Sequence, residues 1–231
     1  MIPGIATTLL TPETSSGFGA PKTMKEAVFG PIVEYFSRPS ALWILAFILF
    51  YKIGDSMASA ISTPFYLDIG FSMSEISAVV KAFGLFATIA GSLIGGVMMI
   101  WLGINRSLWI FGVLQAVSTA GFAFLSSIGH SVTALSAVIA FENLSGGMGT
   151  SAYAAFMASI TNKKFTATQY ALLSSLMGIP RVIASAPTGF LAKHMGWWWF
   201  FVFCTLIALP GMLLLLKFAP WKNINDKICP K

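Results

Sequence analysis

The sequence predicts an all-α membrane protein, a bundle of six transmembrane helices, and three observations carry that reading. Only 10% of its 231 residues are charged, against about 25% in soluble domains, so charge cannot clothe a surface in water. Hydrophobic residues make up 56% of the chain and mean hydropathy is +0.80. Six apolar stretches, placed at 41–66, 75–102, 107–127, 133–160, 167–192 and 197–218, each reach the roughly 20 residues a helix needs to cross a bilayer. Helices satisfy their own backbone in lipid, and a β-barrel would show alternating segments of about ten residues instead.

Taken in order, residues 1–10 form an apolar stub too short to span, read as the end of a preceding helix. Residues 11–21 are a Gly, Pro, Ser and Thr linker, and 24–36 carries Lys25, Glu26, Glu34 and Tyr35 among apolar residues, as a helix lying on the membrane surface does. The division expected is 1–39 for this lead-in, 40–218 for the six-helix bundle and 219–231 for a tail. Ser72-x-x-Glu75 before the second span and Thr166-x-x-Gln169 before the fifth fit the capping box, in which paired side chains satisfy free amides at a helix start.

Cations set the orientation. Lys52, Lys81 and Arg181 lie inside spans. Of the remaining eleven, ten fall on the side of the two termini and the second and fourth loops, and Lys193 alone falls opposite. The positive-inside rule then places both termini in the cytoplasm. Gly96 and Gly103 at the end of the second span recur 93 residues later as Gly189 and Gly196 at the end of the fifth. Three helices separate the copies, an odd number, so the two three-helix units are inverted relative to each other, as in secondary transporters.

Other chemistry lacks material. Cys204 and Cys229 make neither a disulfide framework nor a metal pair, and His130 and His194 cannot assemble a zinc site or a triad. No basic run suits nucleic acid. The expectations are therefore no enzyme, no cofactor and no metal.

Several strings carry a family resemblance. Gly96, Gly103 and Arg106 look like a degraded form of the signature loop of the major facilitator superfamily, with Ile100 where that motif is acidic. The strings Pro21-Lys22-Thr23-Met24-Lys25-Glu26-Ala27-Val28, Tyr51-Lys52-Ile53-Gly54-Asp55, Pro64-Phe65-Tyr66-Leu67-Asp68-Ile69-Gly70-Phe71-Ser72, Phe141-Glu142-Asn143-Leu144-Ser145-Gly146-Gly147-Met148-Gly149-Thr150 and Phe165-Thr166-Ala167-Thr168-Gln169-Tyr170-Ala171-Leu172 resemble the C-terminal half of AmpG-type muropeptide permeases. The resemblance implies proton-driven import of anhydromuropeptides across the bacterial inner membrane, in cell-wall recycling. It also implies that this chain supplies helices seven to twelve only. The substrate would lie between two bundles, so a complementary six-helix half or a homodimer is expected. The alternative is a truncated, non-transporting membrane remnant or assembly partner.

Intramembrane charge points to the site independently of family, because a charge near the bilayer centre costs at least ~2.5 kcal/mol on insertion scales. Lys52 and Asp55 share a helix face and suit pairing. Lys81 lies toward the outer end of the second span, where snorkelling is an equal reading. Glu142 with Asn143 sits inside the fourth span, and Arg181 follows Pro180 in the fifth. Three cations against two carboxylates leave one positive charge for an anionic cargo. Lys52, Glu142, Asn143 and Arg181 are the candidate substrate-binding residues, and Asp55 and Glu142 the candidate proton carriers. The competing reading makes Lys52 to Asp55 and Glu142 to Arg181 structural ties. Gly146, Gly147 and Gly149 read as packing positions, Gln169 as a cap, Pro180 as a kink, and Trp197 to Trp199 as an interfacial belt.

Overall fold

The structure, a computed structural model, describes residues 24–37, 41–162 and 166–218. The stub, the linker and the tail lie outside the described residues, as do the side chains of Thr166 and residues 24–28. Among the described residues there is no strand.

The lead-in helix spans Met24–Phe36 and leaves Phe29, Val33 and Phe36 exposed along one stripe, the pattern of a helix resting on lipid. The first span is Ala41–Tyr51 and Ile53–Ile69, interrupted at Lys52. At about 1.5 Å per residue its 29 residues reach about 43 Å, more than the ~30 Å hydrocarbon core. Gly70, with φ 104°, ends it in the left-handed conformation that glycine adopts without steric cost.

Met73–Ile76 opens the second span, and the predicted box is complete: Ser72 Oγ accepts from the Glu75 amide while Glu75 accepts from the Ser72 amide at 2.8 Å. A π-helical turn at Ser77–Phe83 follows, then the helix Gly84–Ile128. That helix breaks at Gly103 (φ 76°, ψ 163°) and so becomes the second and third spans. Val132–Ile160, capped by Ser131, is the fourth.

The fifth span is pieced from Thr166–Leu176, Gly178–Ile183 and the start of Thr188–Ile207. Pro180 explains the interruption at Met177: its nitrogen cannot donate to the Leu176 carbonyl, and its ring crowds that carbonyl. The predicted kink thus appears one turn before Pro180. Gly196 (φ 76°, ψ 161°) turns the chain into the sixth span, which ends in Leu209–Phe218. Gly103 and Gly196, paired by the 93-residue offset, share one backbone conformation within 2° in ψ, so the repeat is structural.

Three helical stretches, Ala41–Ile69, Met73–Ile128 and Thr188–Lys217, are long and apolar enough to cross a membrane, and the break at Gly103 divides the second into two. Two buried clusters sit at opposite ends of the bundle. One gathers Phe47, Tyr51, Phe111, Tyr153 and Phe156; the other gathers Phe65, Phe122, Leu135, Phe200 and Phe201. The first and third spans meet the former cluster and then the latter, whereas the fourth meets them in reverse, as antiparallel neighbours must.

Small residues set the closest approach. A Cβ on Gly91 would lie 2.2 Å from the Leu144 carbonyl oxygen, and one on Gly147 would lie 2.4 Å from that of Thr88. The second and fourth spans therefore touch backbone to backbone. This is the packing role read for Gly147.

Candidate functional site

Between the two apolar clusters the bundle has a polar waist. In the first span it falls at Lys52 and Asp55, in the third at Gln115 to Thr119, and in the fourth at Glu142 to Ser145. Each set lies between residues of one cluster and residues of the other. A cavity of about 330 Å³ opens there, lined by Lys52, Asp55, Glu142 and Asn143 together with Thr88 and Tyr66.

Lys52 Nζ donates to Asp55 Oδ2 at 3.1 Å, with 11% and 27% of the two side chains exposed. The spacing of three brings both onto one face, and the interruption of the helix at Lys52 (φ −103°, ψ 0°) sits at the pair itself. Glu142 is held from behind: Ser145 Oγ donates to Ser118 Oγ at 2.9 Å, and Ser118 Oγ donates to Glu142 Oε2 at 2.5 Å. Asp55 and Glu142 lie near enough for the two side chains to interact directly. Asn143 accepts from Thr88 Oγ1 at 2.9 Å and donates to the Ile139 carbonyl at 2.9 Å. One amide hydrogen of Asn143 remains for a guest.

Four of the predicted residues thus share one cavity, and Arg181 does not line it. Its side chain is exposed on the helix Gly178–Ile183, and no ion pair joins it to Glu142 among the described residues. The predicted Glu142 to Arg181 tie is absent there, while the Lys52 to Asp55 pair forms. Lys81, in the π-helical turn, is exposed as well. The charge sum is corrected accordingly. The predicted excess of one cation belonged to the spans as a whole, whereas the cavity holds one ammonium against two carboxylates.

The predicted box at Gln169 involves Thr166, whose side chain lies outside the described residues, and Gln169 has further partners. Its Oε1 accepts from the Asn162 amide at 2.7 Å, and its Nε2 donates to the Pro31 carbonyl at 3.1 Å and to Glu34. It fastens the lead-in helix and the fourth loop to the bundle. Trp197 turns inward, donating to Asp68 and packing 5.1 Å from Phe65, while Trp198 and Trp199 stay exposed as a belt requires. The sequence reading missed Thr88, Ser118 and Gln115. Their signal was spacing: Gly84, Thr88, Gly91 and Gly95 stripe one face of the second span, and Gln115, Ser118 and Thr119 follow an i, i+3, i+4 pattern in the third.

Comparison with known proteins bears on what this waist serves. The profile of the Major Facilitator Superfamily matches residues 2–185. The chain belongs to the major facilitator superfamily. It is 42% identical to the anhydromuropeptide permease of Escherichia coli K12 over 98% of its own length and 47% of that protein. It is 36% identical to putative transporter AmpG 4 of Rickettsia felis over 86% of itself and 48% of the relative. Against putative transporter AmpG 1 of Rickettsia prowazekii the identity is 40%, over 75% and 39%. The chain spans about half the length of the curated relatives it matches. It is a multi-pass membrane protein of a transporter superfamily.

Proposed function

We propose that this chain forms the proton-responsive half of a muropeptide permease, importing anhydromuropeptides across the bacterial inner membrane with both termini in the cytoplasm. The observation that carries the reading is the cavity in which one ammonium, Lys52, stands against two carboxylates. With both carboxylates ionised the cavity carries net −1 and repels an anionic cargo. One proton on either carboxylate brings it to zero, and on Asp55 it also frees Lys52. Lys52 then pairs with a cargo carboxylate, and Asn143 donates its remaining N–H to a carbonyl or hydroxyl. Loss of the proton on the far side restores the Lys52 to Asp55 pair and expels the cargo. Cargo and proton travel together because an anionic cargo entering without the proton meets a cavity that is already negative and a Lys52 still held by Asp55.

A complementary six-helix half, or a second copy of this chain, closes the cavity and supplies the opposing wall. Arg181, exposed on the fifth span, is the cation available to face that wall and to bind a second carboxylate of the cargo. No cofactor or metal enters the cycle. The intact ion pair, capped carboxylate and tight glycine contacts speak against a decayed remnant.

The test is uptake of labelled anhydromuropeptide into proteoliposomes under an imposed proton gradient. Uptake is expected when the chain is reconstituted with a complementary half, and collapse of the gradient should abolish accumulation. Failure of the completed assembly to accumulate would favour the non-transporting alternative. Robust uptake by the monomeric chain would refute the half-site argument.

A further inference from the structure

Asp55 borders a second, much smaller space. On the side toward the third and sixth spans lies a pocket of about 20 Å³, lined by Tyr51, Asp55, Gln115, Ala116, Thr119 and Cys204 among others. That volume suits one water molecule, which needs ~10 to 15 Å³ and two to four polar partners.

The hydrogen-bonding valences around the pocket are specific. Gln115 is 6% exposed, and its Nε2 finds no hydrogen-bond partner among protein atoms. Its amide lies close to Asp55, outside hydrogen-bond geometry. The amide orientation is fixed by charge, because the flipped form would turn Oε1 toward a carboxylate. The Thr119 hydroxyl is spent as donor on the Gln115 carbonyl at 3.0 Å, and that of Tyr51 on the Leu108 carbonyl at 3.2 Å, so both retain only acceptor capacity toward the pocket. One free donor faces several acceptors: Asp55, Thr119, Tyr51 and Thr205, whose hydroxyl is spent on the Phe201 carbonyl at 2.9 Å. A water, accepting one hydrogen bond and donating two, fits that set. A buried amide left without a partner costs about 1 to 3 kcal/mol.

We propose that this pocket is a water site, and that its water, held by Gln115, is the second hydrogen-bond partner of Asp55. Gln115 is then a positioning residue: when Lys52 turns to cargo, the water keeps the Asp55 side chain in place for the return of the ammonium. The water site stands by itself, and only its role in the cycle rests on the proposed transport.

The test of the site is infrared difference spectroscopy of the full chain in lipid, comparing H₂¹⁶O with H₂¹⁸O. A narrow, isotope-sensitive O–H stretch is expected in the unaltered protein, without cargo, partner half or gradient. Gln115→Met should remove it. Ala116→Val, which fills the pocket without touching a polar group, should remove it as well and covers the case in which Gln115→Met does not fold. Absence of the band from the unaltered protein, or its persistence in Ala116→Val, overturns the site. For the role, Gln115→Met in a completed transporter should shift the pH dependence of cargo binding while retaining exchange. An unchanged pH profile overturns the positioning role and leaves the proposed transport standing.

Discussion

Replacing Asp55 with Asn removes the charge that competes with cargo for Lys52 while preserving shape. At 3.1 Å separation and an effective dielectric of about 20, the Coulomb attraction is about 5 kcal/mol. Partial desolvation of both groups opposes most of it, and a charge-assisted hydrogen bond nets ~1.5 to 3 kcal/mol. Since 1.4 kcal/mol is tenfold, cargo binding in Asp55→Asn should tighten roughly tenfold to a hundredfold at alkaline pH, where the unaltered protein keeps its pair closed. The variant should still exchange labelled for unlabelled cargo, yet lose accumulation against a gradient. Equilibrium binding from pH 5 to 9 and counterflow in proteoliposomes of the completed transporter read both quantities. If Asp55→Asn accumulates cargo normally, or binds more weakly than the unaltered protein at every pH, Asp55 does not compete for Lys52 and the exchange scheme is wrong.

The other outcomes test site, packing and orientation. In a completed transporter Arg181→Ala should weaken binding of carboxylate-bearing cargo about tenfold to a hundredfold and spare an amidated analogue; equal loss for both would remove Arg181 from the site. Glu142→Gln should abolish proton-driven accumulation with membrane abundance within about twofold, since Ser118 still has an oxygen to donate to; an unchanged pH profile would free Glu142 of any proton role. Gly91→Val places atoms against the Leu144 backbone and should cut the folded yield, overpacking costing ~1 to 3 kcal/mol or more, whereas Gly96→Ala meets nothing within 4 Å and should be silent on a thermal-shift assay. Single cysteines at Ser127 and Ser37, both exposed, should react differently with an impermeant reagent, Ser127 alone from outside; equal labelling would reverse the orientation argument.

What the sequence revealed, and what it hid, follows from how costly each feature is in lipid. Charges are expensive there, so Lys52, Asp55 and Glu142 stood out and do meet in one cavity. The spans and their ends were legible because glycine at a break has a physical cause, and Gly103 and Gly196 both adopt positive φ. Thr88 and Ser118 were hidden because an uncharged hydroxyl that bonds within the protein costs little, and its residue resembles packing. Arg181 stood out by its charge in the same way, but charge alone does not tell which face a side chain takes, and Arg181 is exposed on the helix Gly178–Ile183 and does not line the cavity. Gln169 fitted a capping spacing, and only the fold could bring Glu34, 135 positions away, to its side chain.

The lead-in helix makes that same contact useful to an experimenter. With Tyr35 buried in the bundle, Glu34 gripped by Gln169 and Asn162 and the Pro31 carbonyl held by Gln169, residues 29–36 are fastened to the bundle and its fourth loop. Any tilt of the bundle carries that helix along. A spin label or dye on exposed Val33, measured against a fixed mark on whatever faces this bundle, would read any such tilt directly, without placing a probe near the polar cavity.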